Sequence, residues 1–166
     1  MKGFNKIQDS RRTFIDTLIE LANKDERIVL IVPDVGFNYI EEFQKRFPKR
    51  YFNFGVTEQA TMIIAAGMAL SGLRPYVYSM INFVAFRPFE MVRNGIAMHK
   101  APVTLLGVKG SSSYQFLGFS HNMVFEDEDT KILSPYMTCY TPKTNEEVRD
   151  VLLEGYKLGM PNYVRL

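Results

Sequence analysis

The chain has no tryptophan and a single cysteine, Cys139, in 166 residues. One cysteine builds neither a disulfide framework nor a cysteine metal site, and it fits a reducing compartment. The only histidines, His99 and His121, do not stand at ligand spacing, which argues against a histidine zinc site. Long apolar runs are also missing. The longest, Met62 to Leu70, falls far short of the ~20 residues needed to span a bilayer. The opening MKGFNKIQDSRRTF has no apolar signal core. A soluble, cytoplasmic protein is the expectation.

The common phosphate cradles are absent: there is no G-x-G-x-x-G and no G-x-x-x-x-G-K-[ST]. A G-x-S-x-G nucleophile elbow is absent as well. Twenty Lys and Arg stand against 18 Asp and Glu, for a net charge of +2, and no basic stripe points to nucleic acid. Glu126, Asp127, Glu128 and Asp129 form the one acidic cluster, which reads as a solvated helix start rather than a cation site. The length suits one domain, taken as residues 1–166, with enough chain to bury its own core.

What is present is an alternation of two periodicities. Ser10 to Lys24 carries Phe14, Ile15, Leu18, Ile19 and Ala22 at helical spacing. Arg27 to Val32 is a short β-branched apolar run ending at Pro33, the signature of a buried strand. Helices are expected at Ile40 to Phe47, Thr57 to Leu70, Pro88 to His99 and Asn145 to Leu158, with Asn145 opening the last. Further strands are expected at Tyr51 to Phe54, Arg74 to Met80, Val103 to Val108, Met137 to Tyr140 and Tyr163 to Leu166. Ser79 to Phe86 and Lys109 to Asp127 read as loops, with a short helical turn near Thr130 to Leu133. Alternating strands and helices imply an α/β fold: three layers, α/β/α, around a mainly parallel sheet. Ligands in such folds sit beyond the carboxyl ends of the strands. The loops at Asp34–Asn38, Gly55–Glu58, Ser79–Phe86 and Lys109–His121 should therefore gather at one edge.

The most specific phrase is Phe54-Gly-Val-Thr-Glu-Gln-Ala60, in which a strand ends, a glycine turns and Glu58 opens a small-residue helix. Ala66-Gly67, Leu73-Arg-Pro-Tyr76, Ser79, Phe83, Arg87-Pro-Phe-Glu-Met-Val-Arg-Asn94, Ala101-Pro-Val103 and Gly118-Phe-Ser-His121 follow in order. This ordered set resembles the pyrimidine-binding domain of the transketolase family over about residues 10 to 166. The resemblance implies a thiamine-diphosphate role. Glu58 matches the cofactor-activating glutamate, whose carboxyl group bonds a ring nitrogen of the aminopyrimidine. The imino tautomer then favoured can take the thiazolium proton, and the resulting ylid attacks a ketose carbonyl. An apolar setting around Glu58 would help it share that proton. Phe83 matches the aromatic that stacks on the pyrimidine, and Phe86 lines the same pocket, where the family often has tyrosine. His121 matches a substrate-contacting histidine. Asp34, Gly36, Asn38 and Lys109 match segments that border the substrate channel.

The sequence departs from the family pattern in places. Leu117 stands where a sugar-recognising aspartate is common, and leucine cannot accept a hydroxyl hydrogen bond. Met80 replaces a common aromatic, and the stretch from His121 to Leu133 is longer by about two residues than the family's S-H-x-x-x-E-D segment. The resemblance also implies a G-D-G motif that holds magnesium and diphosphate, and this chain contains none. The expected arrangement is a cofactor shared with a separate G-D-G-bearing subunit that holds the magnesium, in a heterotetramer-like assembly. The diphosphate-binding and C-terminal domains would lie outside this chain. The activity implied is transfer of a two-carbon ketol unit between sugars or sugar phosphates. Decarboxylating chemistry like that of deoxyxylulose-phosphate synthase or an oxo-acid dehydrogenase is an alternative, as is a non-catalytic scaffold.

Overall fold

The computed structural model describes residues 10–36, 38–108 and 115–166. Six strands form one sheet in the order β2-β1-β3-β4-β6-β5: β1 (Ile28–Val32), β2 (Tyr51–Asn53), β3 (Arg74–Met80), β4 (Thr104–Val108), β5 (Thr138–Tyr140) and β6 (Asn162–Arg165). Every pairing is parallel. All five residues of β1 are buried, as are all five of β4, because helices cover both faces of the sheet.

The period of two along the strands sorts the core into two halves. Ile28, Leu30 and Val32 of β1 pack with Tyr78, Leu106 and Val164 beneath α1 (Ser10–Lys24) and α6 (Asn145–Leu158). Val29 and Ile31 face the other way and join Val77, Leu105 and Tyr163 against α3 (Glu58–Leu70). Small residues let α3 lie close to its neighbours: Met62, Ala65, Ala66 and Ala69 are its buried apolar positions. A short α2 (Glu41–Arg46) sits between β1 and β2, with Phe43 buried. Among the described residues no helix is long and apolar enough to cross a membrane.

The chain departs from the expected loop at Ser79–Phe86. Ser79 and Met80 complete β3, and Asn82–Phe86 form a widened helical turn. The Arg87 N–H reaches back five residues to the Asn82 carbonyl, at 2.9 Å. A short α4 (Phe89–Met91) and a second wide turn, Val92–Ala97, continue the run. Met98 closes it by donating to the Arg93 carbonyl at 3.0 Å. Pro88 therefore lies inside the helical run rather than at its start. Proline has no N–H and crowds the preceding turn, so a turn widened by one residue lets the chain pass it without breaking.

One cap also differs. Thr144, one residue before the expected start, caps α6 with Oγ1 accepting from the Glu147 N–H at 3.1 Å. The Glu147 carboxylate returns a bond from the Lys143 N–H at 2.7 Å. At the other end of the long loop, Phe119–His121 form a short 3-10 turn, and α5 spans Glu128–Leu133. The acidic cluster is not wholly solvated: Asp129 is completely buried.

Candidate active site

The strand order reverses between β1 and β3, since β2 lies to one side of β1 and β3 to the other. A crevice opens beyond the carboxyl ends of strands at such a point. Three chain segments meet there: the start of α3, the wide turn after β3, and the loop that carries His121.

Asn53, the last residue of β2, holds the turns together. Its side-chain oxygen accepts from the Asp34 N–H at 3.1 Å and the Gly55 N–H at 2.9 Å. Its amide nitrogen donates to the Asp34 carboxylate at 3.2 Å. The β1 loop and the turn leading into Glu58 are thus clamped by one side chain. Asp34 and Asn38 both hold positive φ, at 56° and 72°, and the Asn38 N–H donates to the Glu41 carboxylate at 2.8 Å. Gly36 has φ 99°, and a Cβ built on it would stand 3.1 Å from the Tyr78 ring and 3.0 Å from Ile40.

Glu58 is the first residue of α3, at the positive end of the helix, and only 4% of it is exposed. Its carboxylate is not in an apolar setting, contrary to expectation. Arg87 Nη1 donates to Glu58 Oε1 at 2.5 Å. The same guanidinium lies over a ring, its central carbon 4.0 Å from the Phe83 centroid. On another side of Phe83 the His121 ring stands edge-on, 5.0 Å between centroids and 84° between planes. Phe83 is left 7% exposed.

A cavity of ≈ 290 Å³ opens beside this group, with Asn82, Phe83, Phe86, Arg87, Asn122 and Glu128 among its walls. Asn82 donates to the Asn122 carbonyl at 2.9 Å and so ties the wide turn to the residue after His121. Its own side-chain oxygen is buried without a partner, an acceptor that a bound ligand can satisfy. Asn122 donates to the Gly118 carbonyl at 2.6 Å. Glu128 accepts from the Val124 and Phe125 N–H groups at 3.1 and 3.3 Å. Ser120 Oγ and His121 Nδ1 lie 2.9 Å apart.

The structure therefore brings Glu58, Phe83, Phe86 and His121 together. Asp34, Gly36 and Asn38 reach the same edge of the sheet, although none lines this cavity. Lys109 lies outside the described residues. Arg87, Asn82 and Glu128 had no role assigned from the sequence. The signal for Arg87 was its place four residues after Phe83, which puts both on one helical face once that stretch is read as a helix. His99 is exposed and takes no part. Among the described residues no group of three His, Cys, Asp or Glu side chains is placed to hold a metal ion. A larger cleft of ≈ 740 Å³ lies by Lys143, Thr144, Asn145 and Arg165 and contains none of the expected site residues. Phe83 and Phe86 line the smaller cavity directly, and Glu58 and His121 stand behind its walls, in contact with Arg87 and Phe83.

The arrangement suits a flat heterocycle. A buried carboxylate provides one directional hydrogen bond, an aromatic ring provides a stacking face, and an orphan amide oxygen provides an acceptor.

The sequence matches the family model described as the pyrimidine-binding domain of transketolase over residues 7–166. It is 35% identical over 158 residues to 1-deoxy-D-xylulose-5-phosphate synthase of Aquifex aeolicus, covering 92% of this chain and 24% of that protein. It is 31% identical over 165 residues to one subunit of the apulose-4-phosphate transketolase of Phocaeicola vulgatus, covering 98% of this chain and 52% of that one. Among solved structures, a split-gene transketolase described as an inactive beta4 tetramer superposes with TM-score 0.82 at 28% identity, over 95% of this chain and 50% of that one. A transketolase of Pichia stipitis at 18% identity shares the fold, with TM-score 0.77 over 94% of this chain and 25% of that one. The chain spans about a quarter to a half of the length of these relatives.

Proposed function

Because this chain belongs to the transketolase pyrimidine-binding domain family, we propose that it is the pyrimidine-holding subunit of a thiamine-diphosphate-dependent transketolase-like enzyme. The observation that supports this most directly is the pairing of a buried carboxylate, Glu58, with a buried aromatic ring, Phe83, through one intervening side chain. Such a pair fits an aminopyrimidine: the carboxyl group bonds a ring nitrogen and the phenyl ring takes the flat face. Phe86 closes the wall, and the edge of His121 borders the opening towards substrate.

When bound, thiamine diphosphate supplies a carbon nucleophile for cleaving a bond beside a ketone, which no side chain provides. The residues of this chain bind, orient and exclude water. Glu58 meets the ring nitrogen with one carboxylate oxygen, and burial keeps that bond strong. Asn82, through Asn122, keeps the His121 segment at a fixed distance from Phe83.

The diphosphate and its magnesium would be held by a separate subunit carrying the G-D-G motif. Support comes from two relatives, one named as a single subunit of a transketolase and one as a split-gene product. Exposed apolar side chains beside the cavity, Phe119, Val124 and Phe125, form the surface such a partner would cover. The reaction is ketol transfer between sugars. The decarboxylating alternative is favoured by one observation, the identity to deoxyxylulose-phosphate synthase. Release of carbon dioxide during turnover would select it.

The test is reconstitution. Thiamine diphosphate binding with magnesium is measured by calorimetry for this chain alone and then mixed with the diphosphate-binding subunit from the same organism. Binding in the mixture only, together with turnover lost in Glu58→Gln while folding is intact, is the expected result. Tight binding by the lone chain would overturn the shared-cofactor reading, and unchanged turnover in Glu58→Gln would leave a scaffold.

A further inference from the structure

We infer that Arg87 is a resident stand-in for the cofactor's pyrimidine ring, and that it keeps the site shut until an incoming ring displaces it. The inference rests on the reading of Glu58 and Phe83 as the pyrimidine site. It adds a regulatory contact that the reading does not require.

A guanidinium reproduces the recognition features of an aminopyrimidine. It is planar, it carries N–H donors along its edge, and it stacks on aromatic faces. Arg87 uses all of these on the groups assigned to the cofactor. Its plane centre sits 4.0 Å from the Phe83 centroid, and its Nη1 donates to Glu58 at 2.5 Å. With Arg87 in place, Glu58 is 4% and Phe83 7% exposed, so neither the hydrogen bond nor the stacking face is open to a ligand. The His121 ring stands perpendicular to Phe83 at 5.0 Å between centroids, so it is the guanidinium that lies over the ring.

The cover is built to move. The Arg87 side chain is 39% exposed, while its partner carboxylate is 4% exposed, so solvent already reaches the arginine end of the pair. Its backbone is anchored independently, by the Arg87 N–H to Asn82 at 2.9 Å and by a long contact of 3.4 Å from the Gln59 side-chain amide to the Arg87 carbonyl. Rotation about side-chain bonds alone can therefore carry the guanidinium outwards. A ligand that binds only the open form has its affinity reduced by the open fraction. Glu58 meanwhile keeps a partner in both states: the arginine when the site is empty, the pyrimidine when it is filled. This spares an uncompensated buried carboxylate.

The experiment uses the 166-residue chain and the free aminopyrimidine half of thiamine, which needs no diphosphate-binding partner. Affinity is measured by titration for wild type, Glu58→Gln, Arg87→Ala and Arg87→Ala with Glu58→Gln. The expected result is binding at least about tenfold tighter in Arg87→Ala than in wild type, lost again when Glu58 is replaced, corresponding to an open fraction of a tenth or less. Equal or weaker binding by Arg87→Ala, with wild-type binding still dependent on Glu58, overturns the stand-in and leaves the pyrimidine site intact. Binding by neither protein overturns both. If Arg87→Ala does not fold, the Arg87 side-chain NMR signals of wild type decide. Titrated pyrimidine must move them out of the Phe83 ring current, and unmoved signals in a saturated sample refute displacement.

Discussion

The Tyr163 hydroxyl of β6 donates a short hydrogen bond to the Asp129 carboxylate in the first turn of α5. Both residues are fully buried. Arg165 stands farther off, 3.6 Å from the other carboxylate oxygen. The burial and the adjacent charge hold the Tyr163 hydroxyl well above the ordinary tyrosine range. Next along the chain, Glu128 grips the amides of Val124 and Phe125. A buried bond beneath the sheet's edge thus anchors the segment that forms the cavity wall.

Tyr163→Phe removes the direct partner of that buried carboxylate. The expected loss is about 1–3 kcal/mol of unfolding free energy, read from urea midpoints at constant slope. Because α5 carries Glu128, hydrogen exchange at the Val124 and Phe125 amides should also quicken. Unchanged stability would mean that Arg165 alone suffices.

Glycines 95 and 107 should respond unequally to alanine. A Cβ on Gly107 would lie 2.5 Å from Tyr163 Oη and 3.0 Å from Ile81, both in the packed interior. Overpacking of this kind costs about 1–3 kcal/mol, and the same clash presses on the Tyr163–Asp129 bond. At Gly95 the nearest atom, at 2.6 Å, is the tip of Ile63, a side chain 49% exposed and free to rotate away. Gly95→Ala should fall within about 1 kcal/mol of wild type, its higher helix propensity offsetting the adjustment. Thermal melts of both variants check the contrast.

Asp25 gives the fold an acid-sensitive joint. Its carboxylate accepts from Arg27 Nε and Nη2 at 2.9 and 2.8 Å and from the Tyr156 hydroxyl at 3.0 Å. The Arg27 hydrogen bonds hold it well below the usual carboxylate range, against the opposing effect of burial. A depressed folded-state value means that the group stabilises the fold above its unfolded value of about 3.9. That contribution is lost as pH falls through the folded value. Asp25→Asn should therefore be less stable at neutral pH, and its stability should decline less than that of wild type from about pH 4 downwards. Parallel acid titrations by circular dichroism would show coincident curves if the joint contributes nothing.

Cys139 should be a poor nucleophile. Burial, aided by the charge of Asp129, pushes its thiol up to about 11, and Sγ donates to the Met137 carbonyl at 3.6 Å. Alkylation at pH 8 should run on the order of a hundredfold slower in the folded chain than in urea, since the thiolate is the reacting form. Equal rates would place the thiol in solvent.

Much of this was legible from the chain alone. The apolar run of β1, the small-residue helix α3 and the amphipathic α6 each carry a local period that tertiary packing only confirms. Glu58, Phe83, Phe86 and His121, which the resemblance singles out, lie near one another. What escaped was non-local. The Glu58–Arg87 contact joins residues 29 apart in sequence. It becomes visible only once the stretch around Pro88 is known to be helical, and proline there reads as a beginning. Asp129 looked like one of four solvated acids because its partners, Tyr163 and Arg165, lie more than thirty residues away. Thr144 and Asn145 are both good caps, and sequence does not choose between neighbours.

The sheet ends on both sides in strands of three residues, Tyr51–Asn53 and Thr138–Tyr140. Rims that short give an added strand too few backbone groups to grip, the means by which many proteins avoid fibrillar growth. Among the described residues the sheet therefore offers copies of this chain little to extend. Such rims favour assembly through helices and loops, where individual side chains rather than backbone register set the angle between neighbours. Point substitutions can thus retune how the chain assembles without disturbing how it folds.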